Sequence, residues 1–556
     1  MRIDPEKLKE RIEAHFISYV GIQSDTGTVY ERNIEEFYKK WFHDVPYFKE
    51  NPEKCGLFKI PGDHLNRHIP WALLRGKGNE TVVLLHHSDT VDTIDYGAIR
   101  DIALDPKSLE QAFKDGKMPL TEEAKADLES GEWLFGRGSM DMKGGAAIHI
   151  ALMETYAEIA DFKGNLLLLA APDEENLSAG AIGAAYLLND LKDKYQLEYK
   201  LCLLSEPDFF NRSIQNGSVG KMMPLIYVRG KIAHVGRVYD GLNPVKILSK
   251  IVDLLDLNPD FIETNGTTTT PAPTFLYAKD RKDIYDVSLP SVASGCISLY
   301  CFHRTPKELI ELVREICEDA MGDAIESVKQ SHGVFLQKSN MQATKLDWQV
   351  NVKLYANLYE EARLAGGDVF LSTIKQTESE VGEMVKRGEM TLIEASHVVI
   401  ERTLAFVRDL SPVVVIALVP PYYPFVSNDK LPVAGQFAND IGDALLSHAK
   451  ETDGYEYVKL FATGMCDFSY MMQISDKSVN DYIENNMMMW GNGYHIPFEK
   501  ISQISMPILN IGPVGRDAHQ YTERVLKKDI FYTIPDYTHF AISRALETKL
   551  SNQSNS

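Results

Sequence analysis

An apolar run ends in two histidines and a carboxylate at Leu84-Leu85-His86-His87-Ser88-Asp89-Thr90-Val91. If the run is a strand, alternation puts His87 and Asp89 on one face and His86 on the other, so His87 and Asp89 are the pair that can cooperate. A metal-bound imidazole hands its second ring N–H to an outer acceptor, which fixes the tautomer, and a carboxylate two residues on can serve. The same residues would also suit a solvated histidine pair at a strand end. The ligand reading therefore depends on partners from elsewhere in the chain.

Such partners recur in one setting. A glycine-dense stretch, Gly136-Arg137-Gly138-Ser139-Met140-Asp141-Met142-Lys143-Gly144-Gly145, precedes a helical run and lets backbone approach whatever Asp141 binds. It has neither the spacing of a phosphate-binding loop nor that of a dinucleotide fingerprint. A continuous apolar run at 165–171 ends at Asp173-Glu174-Glu175, and another at 200–204 ends at Glu206-Pro207. In an open α/β sheet, ligands gather beyond the carboxyl ends of the strands, so His87, Asp141, Glu174, Glu175 and Glu206 are expected to converge there. Late in the chain, Gly515-Arg516-Asp517-Ala518-His519 adds a second histidine just past an extended segment. This set invites divalent metal.

The elements that position these groups follow from periodicity and turn chemistry. Residues 5–20, 31–42 and about 180–193 read as helices, and 69–74 and 81–86 as a hairpin-like strand pair joined by Gly76-Lys77-Gly78-Asn79. Residues 92–130 read as an irregular surface excursion. From about 216 the character changes to a β-α-β-β-α-β order, a ferredoxin-like α+β unit interrupted at about 323–410 by a helical insertion. After Pro420-Pro421 the α/β character returns. The expected organisation is a catalytic α/β domain in two parts, 1–215 and 425–556, split by a lid domain at 216–424. At 556 residues, more than one core is expected.

Composition narrows the partners. A net charge of −21, from 58 basic and 79 acidic residues, with no basic patch, argues against nucleic acid and anionic membranes. No stretch reaches the ~18 apolar residues of a membrane span. Six scattered cysteines, without close pairs, fit free thiols in a reducing cytoplasm.

Taken in order, His87/Asp89, 136–145, Asp173-Glu174-Glu175, Glu206-Pro207 and His519 resemble the aminoacylase, carboxypeptidase G and tripeptidase T family of two-zinc hydrolases. The length and helical insertion are similar to its arginine-utilisation (RocB-type) branch. The chain departs from the pattern at His86, where glycine is usual, and at Asp92, where proline often stands. The resemblance implies a mixed-sheet zinc-peptidase domain split by the lid. It implies that Asp141 bridges two Zn2+ ions, with Co2+ or Mn2+ as substitutes. His87 and Glu206 complete one site, Glu175 and His519 the other, while Glu174 acts as general base and Asp89 orients His87.

His234, in Gly230-Lys231-Ile232-Ala233-His234, matches the family's lid histidine that helps bind the oxyanion, often in a neighbouring subunit. Arg304 is a candidate for pairing with a substrate carboxylate through its planar fork, with a surface ion pair as its alternative. Arg137 and Lys143 are expected to brace the glycine loop, and His149 to lie on the helix after it. Cys466, beside Asp467, has no neighbouring histidine in sequence and is not expected to be a nucleophile. The expected activity is hydrolysis of an amide in a small substrate, an N-acyl amino acid or short peptide, with arginine-related compounds favoured by the branch. The competing reading is a catalytically inactive binding or regulatory protein that keeps the cleft. A homodimer is compatible with the resemblance, although the insertion could occupy that surface.

Overall fold

A computed structural model describes residues 3–159, 161–207, 212–339, 345–464, 466–474 and 476–547. The chain forms two compact units: residues 1–218, 425–474 and 497–556 make the first, and 219–424 with 475–496 the second. Segment 475–496, read from the sequence with the catalytic part, thus belongs to the second unit. It carries helix Lys477–Asn486, whose residue Asn486 accepts a hydrogen bond from the Ala356 backbone within that unit.

The first unit is built on a nine-stranded mixed sheet. Its spatial order is Cys55–Lys59, His68–Arg75, Lys163–Ala171, Lys77–His87, Glu198–Leu204, Ile508–Asn510, Ser213–Ser218 and Val426–Ser427, with Val458–Ala462 also paired to Ser213–Ser218. The four central strands from Lys163–Ala171 to Ile508–Asn510 run parallel. Their near-continuous apolar sequences follow from burial on both faces. Val82, Leu84, Leu166, Leu168, Leu201 and Leu203 join one core with helices Pro5–Val20, Lys143–Ala157 and Ala434–Thr452, while Val83, Leu85, Leu167 and Leu169, also buried, face the other way.

The expected hairpin between 69–74 and 81–86 does not form. Lys163–Ala171 lies between the two strands, antiparallel to one and parallel to the other. Gly76 explains how the chain crosses: a Cβ there would stand 2.4 Å from the Gly164 and Phe162 carbonyl oxygens, so the connection runs under the neighbouring strand's turn. The 92–130 stretch is also more ordered than its polarity suggests. It contains helices Pro106–Lys114 and Glu122–Ser130, and its Tyr96, Leu109 and Phe113 form a satellite core with Trp133 and Phe135 of the strand that follows.

The second unit has a five-stranded sheet, ordered Thr274–Asp280, Val292–Cys301, Gly220–Arg229, Val413–Tyr423 and Val352–Leu354. The first four are antiparallel to their neighbours, with helices Pro244–Leu255 and Pro306–Lys338 in the connections, which is the β-α-β-β-α-β arrangement. The insertion adds the fifth strand, in parallel register with Val413–Tyr423, and the helical stretches Tyr355–Lys386, broken at Gly367 (φ 53°), and Leu392–Leu404.

Candidate metal centre

The parallel strands of the first unit end along one edge, and the acidic tips follow from that topology. His87 is the last residue of Lys77–His87, Asp173-Glu174-Glu175 follows Lys163–Ala171, and Glu206 lies two residues past the end of Glu198–Leu204. Asp141 reaches the same edge from the loop before helix Lys143–Ala157, and the Asp141–Met142 peptide is cis.

Among the described residues, three groups of side chains lie close enough to hold a cation, with one ligand atom of each member within 4.8 Å of the others: His87/Asp141/Glu206, Asp141/Glu175/His519 and His87/Glu174/Glu175. The first two share Asp141, whose oxygens face opposite ways. Oδ1 is 3.0 Å from His87 Nε2 and Oδ2 is 3.4 Å from His519 Nε2. Glu206 Oε1 stands 3.7 Å from His87 Nε2, and Glu175 Oε1 3.0 Å from His519 Nε2. His87 is buried, whereas the His519 side chain is 47% exposed, so the second group is the open one.

These groups fit cations. His87 Nδ1 lies 3.1 Å from the Asp89 main-chain carbonyl, so it carries the ring proton and leaves the Nε2 lone pair facing two carboxylate oxygens. Acceptor facing acceptor is stable only with a proton or a metal ion between them. The carboxylates tell the same story. Burial pushes Glu174, Glu175 and Glu206 up from the ordinary range, and repulsion from neighbouring carboxylates, Asp141 among them, adds to it although His87 opposes it. Burial works against a charged His87, yet Glu206, Asp141 and Asp89 outweigh it and hold the imidazole well above its usual range. Asp141 and Glu175 lift His519 to about 10. Zinc takes imidazole nitrogen and carboxylate oxygen of this kind.

Asp89 lies beside His87 and also reaches the acidic tip. Its own carbonyl orients His87, while its carboxylate, 3.6 Å from Nδ1, accepts the backbone N–H groups of Glu174 (3.1 Å) and Glu175 (3.2 Å). It therefore holds the acidic tip as well as its neighbour histidine. Arg304 is likewise engaged: it donates to the Asp260 carbonyl at 2.8 Å and pairs with Glu263 at 3.6 Å, which is the ion-pair alternative and not a fork held open for substrate. His234 lies exposed in the second unit, its Nδ1 accepting from the Gly236 N–H at 3.0 Å.

Several supporting residues carried no legible signal. Arg67 is buried and donates to Asp173, Glu31 and Asp63, fixing Asp173 (φ 72°) at the base of the tip. Glu523 accepts from the Met140 and Asp141 N–H groups and from Arg137, which braces the glycine loop as expected. Asn510 clasps the Glu206 backbone, accepting from its N–H at 2.8 Å and donating to its carbonyl at 3.1 Å. Lys143, also expected to brace the glycine loop, donates to the Ile22 carbonyl outside it, and burial pushes its ammonium down to about 7. Asp467 is buried, and burial lifts it to about 7 against the opposing pull of His87.

Residues 116–509 match the family described as Peptidase family M20/M25/M40. Protein YqjN of Bacillus subtilis (strain 168) is 32% identical over 548 residues, covering 97% of each chain. Protein RocB of the same strain is 30% identical over 541 residues, 95% of this chain and 93% of that one. The crystal structure of aminopeptidase PepT from Bacillus cereus ATCC 10987 superposes with a TM-score of 0.51 over 97% of this chain and 98% of that one at 12% identity, a likeness of fold. By family match and by full-length similarity, the chain belongs to peptidase family M20/M25/M40, a family of hydrolases.

Proposed function

We propose that the chain is a two-metal hydrolase that cleaves an amide bond in a small substrate, with Glu174 as general base. The observation that supports this is the placement of Asp141, whose two carboxylate oxygens each face a different histidine. In this reading His87, Asp141 and Glu206 hold one cation and Asp141, Glu175 and His519 the other. Zinc is the expected metal, with Co2+ or Mn2+ as substitutes. Bound there, the cations would polarise the scissile carbonyl and acidify the attacking water.

The chain's own residues supply the rest. Glu174, buried on the tip that Asp89 fixes, takes the proton that water releases on attack and returns it to the leaving nitrogen. His87 is kept in one tautomer by the Asp89 carbonyl. His234 is assigned the role of donor to the developing oxyanion. The Gly236 N–H occupies its Nδ1, which leaves the ring proton on Nε2 where a donor is needed. The substrate class is an N-acyl amino acid or short peptide. The arginine-related preference rests on the branch resemblance and on the similarity to RocB. A cytoplasmic location is part of the proposal, supported by six cysteines that are all free. No helix among the described residues is long and apolar enough to cross a membrane.

The test is Glu174→Gln, assayed for bound metal and for turnover on a panel of acyl-amino acids and dipeptides. Two equivalents of metal with turnover lowered at least ~10²-fold are expected, because the amide cannot carry the proton. Loss of metal would move Glu174 into the ligand set, as the His87/Glu174/Glu175 grouping allows. Unchanged turnover would remove it from the mechanism.

A further inference from the structure

His86, on the face of the strand opposite His87, begins a row of buried side chains. Tyr38 Oη lies 2.8 Å from His86 Nε2, His86 Nδ1 lies 3.4 Å from His149 Nδ1, and His149 Nε2 lies 3.0 Å from Ser205 Oγ. All four residues are fully buried. Each neutral imidazole donates at one ring nitrogen and accepts at the other, so the donor direction chosen at one end sets every bond in the row. The row is thus a single cooperative unit.

Three of its members sit on the elements that carry one of the two proposed ligand groups, and the fourth, Tyr38, anchors the outer end of the row from helix Asn33–Asp44. His86 precedes His87 on its strand. His149 lies on helix Lys143–Ala157, whose entry loop holds Asp141. Ser205 precedes Glu206. We infer that Tyr38, His86, His149 and Ser205 are positioning residues that register the carriers of His87, Asp141 and Glu206 against one another. This rests on reading those three as a metal group.

The backbone explains why side chains are needed there. The ladder between Lys77–His87 and Glu198–Leu204 ends at the Leu84–Leu203 pair, although each strand continues to pair with its outer neighbour, to His87–Ala171 and to Leu204–Asn510. Among the described residues the pairing of these two strands stops at Leu84 and Leu203, and His87 and Glu206 lie on the tips beyond it. The helix closes on the seam at Gly145, where a Cβ would stand 2.3 Å from the Ser205 carbonyl oxygen. That approach brings His149, one turn further on, between His86 and Ser205. The second group, Asp141/Glu175/His519, shares only Asp141 with the seam.

The experiment measures Zn2+ affinity for one group at a time. Of the two proposed metal groups, a His519→Ala background keeps His87/Asp141/Glu206 complete and a Glu206→Ala background keeps Asp141/Glu175/His519, while the His87/Glu174/Glu175 grouping is the same in both. Adding His149→Phe should weaken Zn2+ binding about 10–100-fold in the first background, the range typical of lost outer partners, and leave the second within about twofold. Ser205→Ala, which removes only a hydroxyl, should show the same preference with smaller size, and its effect should vanish once His149 is Phe. His149→Gln, which keeps a donor and an acceptor, should restore part of the affinity. Equal weakening in both backgrounds, no weakening in either, or additive effects of the two changes would overturn the positioning role. Wild type that binds no Zn2+ would sink the metal reading and this role with it, a pattern distinct from all three.

Discussion

Asp141 faces two histidines at once, Oδ1 3.0 Å from His87 Nε2 and Oδ2 3.4 Å from His519 Nε2. Replacing it with Ala should lower the occupancy of both ions, measured as metal per chain after gel filtration, whereas Glu206→Ala or His519→Ala should cost one. Full retention of two ions in Asp141→Ala would refute the bridge. Residues such as these were legible because their chemistry is carried by type and spacing: a histidine or carboxylate directly after an apolar run can be placed at a strand end from the sequence alone. What supports them was not. Asn510 and Glu523 act through backbone N–H groups far away in the chain, and Arg67 through buried carboxylates on three separate segments. No local pattern marks such a role. Asp89 shows the finer limit, since its carbonyl and its carboxylate do different work and sequence distinguishes only the side chain.

At the scale of elements, burial decides the sign of a pH effect on helix Leu392–Leu404 in the second unit. His397 is 1% exposed there, with Nε2 3.3 Å from Tyr277 Oη and the Tyr227 ring beside it. Burial first, then the positive charges of Arg281 and Lys279, push its imidazole down to about 3. The unfolded chain therefore binds a proton below about pH 6.5 that the folded unit refuses down to about pH 3, so stability falls as the pH drops through that window. Relative to pH 8, the loss at pH 5 should be about 2 kcal/mol. Urea unfolding at the two pH values, in wild type and in His397→Gln, reads it, and equal losses in the two proteins would contradict the assignment. The insertion was legible as helical, but not the bounds of this helix, although a capping box of Thr391 and Glu394 starts it, as Thr305 and Glu308 start Pro306–Lys338. Strand partners were not legible. Two runs joined by Gly76-Lys77-Gly78-Asn79 looked like a hairpin because turn chemistry is local, while the pairing with Lys163–Ala171 is settled by burial on both faces of a parallel sheet.

At the scale of the molecule, the change from parallel α/β to antiparallel α+β character marked the second unit, while its recruitment of 475–496 left no trace in composition. The proposed chemistry divides along the same lines, since the acidic tips belong to the first unit and His234 to the second. An oxyanion donor is used only as charge develops, so His234→Ala should reduce kcat by ~10²-fold or more and change substrate binding much less. A parallel fall in affinity would argue that His234 holds the ground state. Whether the donor serves its own chain or a partner in a homodimer is decided by complementation. Glu174→Gln lacks the base but keeps His234, and His234→Ala lacks the donor but keeps the base. In verified mixed dimers of the two, a site drawing its donor from the neighbouring subunit would be complete once per dimer. Recovery of up to half the wild-type turnover per mixed dimer is then expected. No recovery after confirmed subunit exchange, or a strictly monomeric active protein, would confine His234 to its own chain.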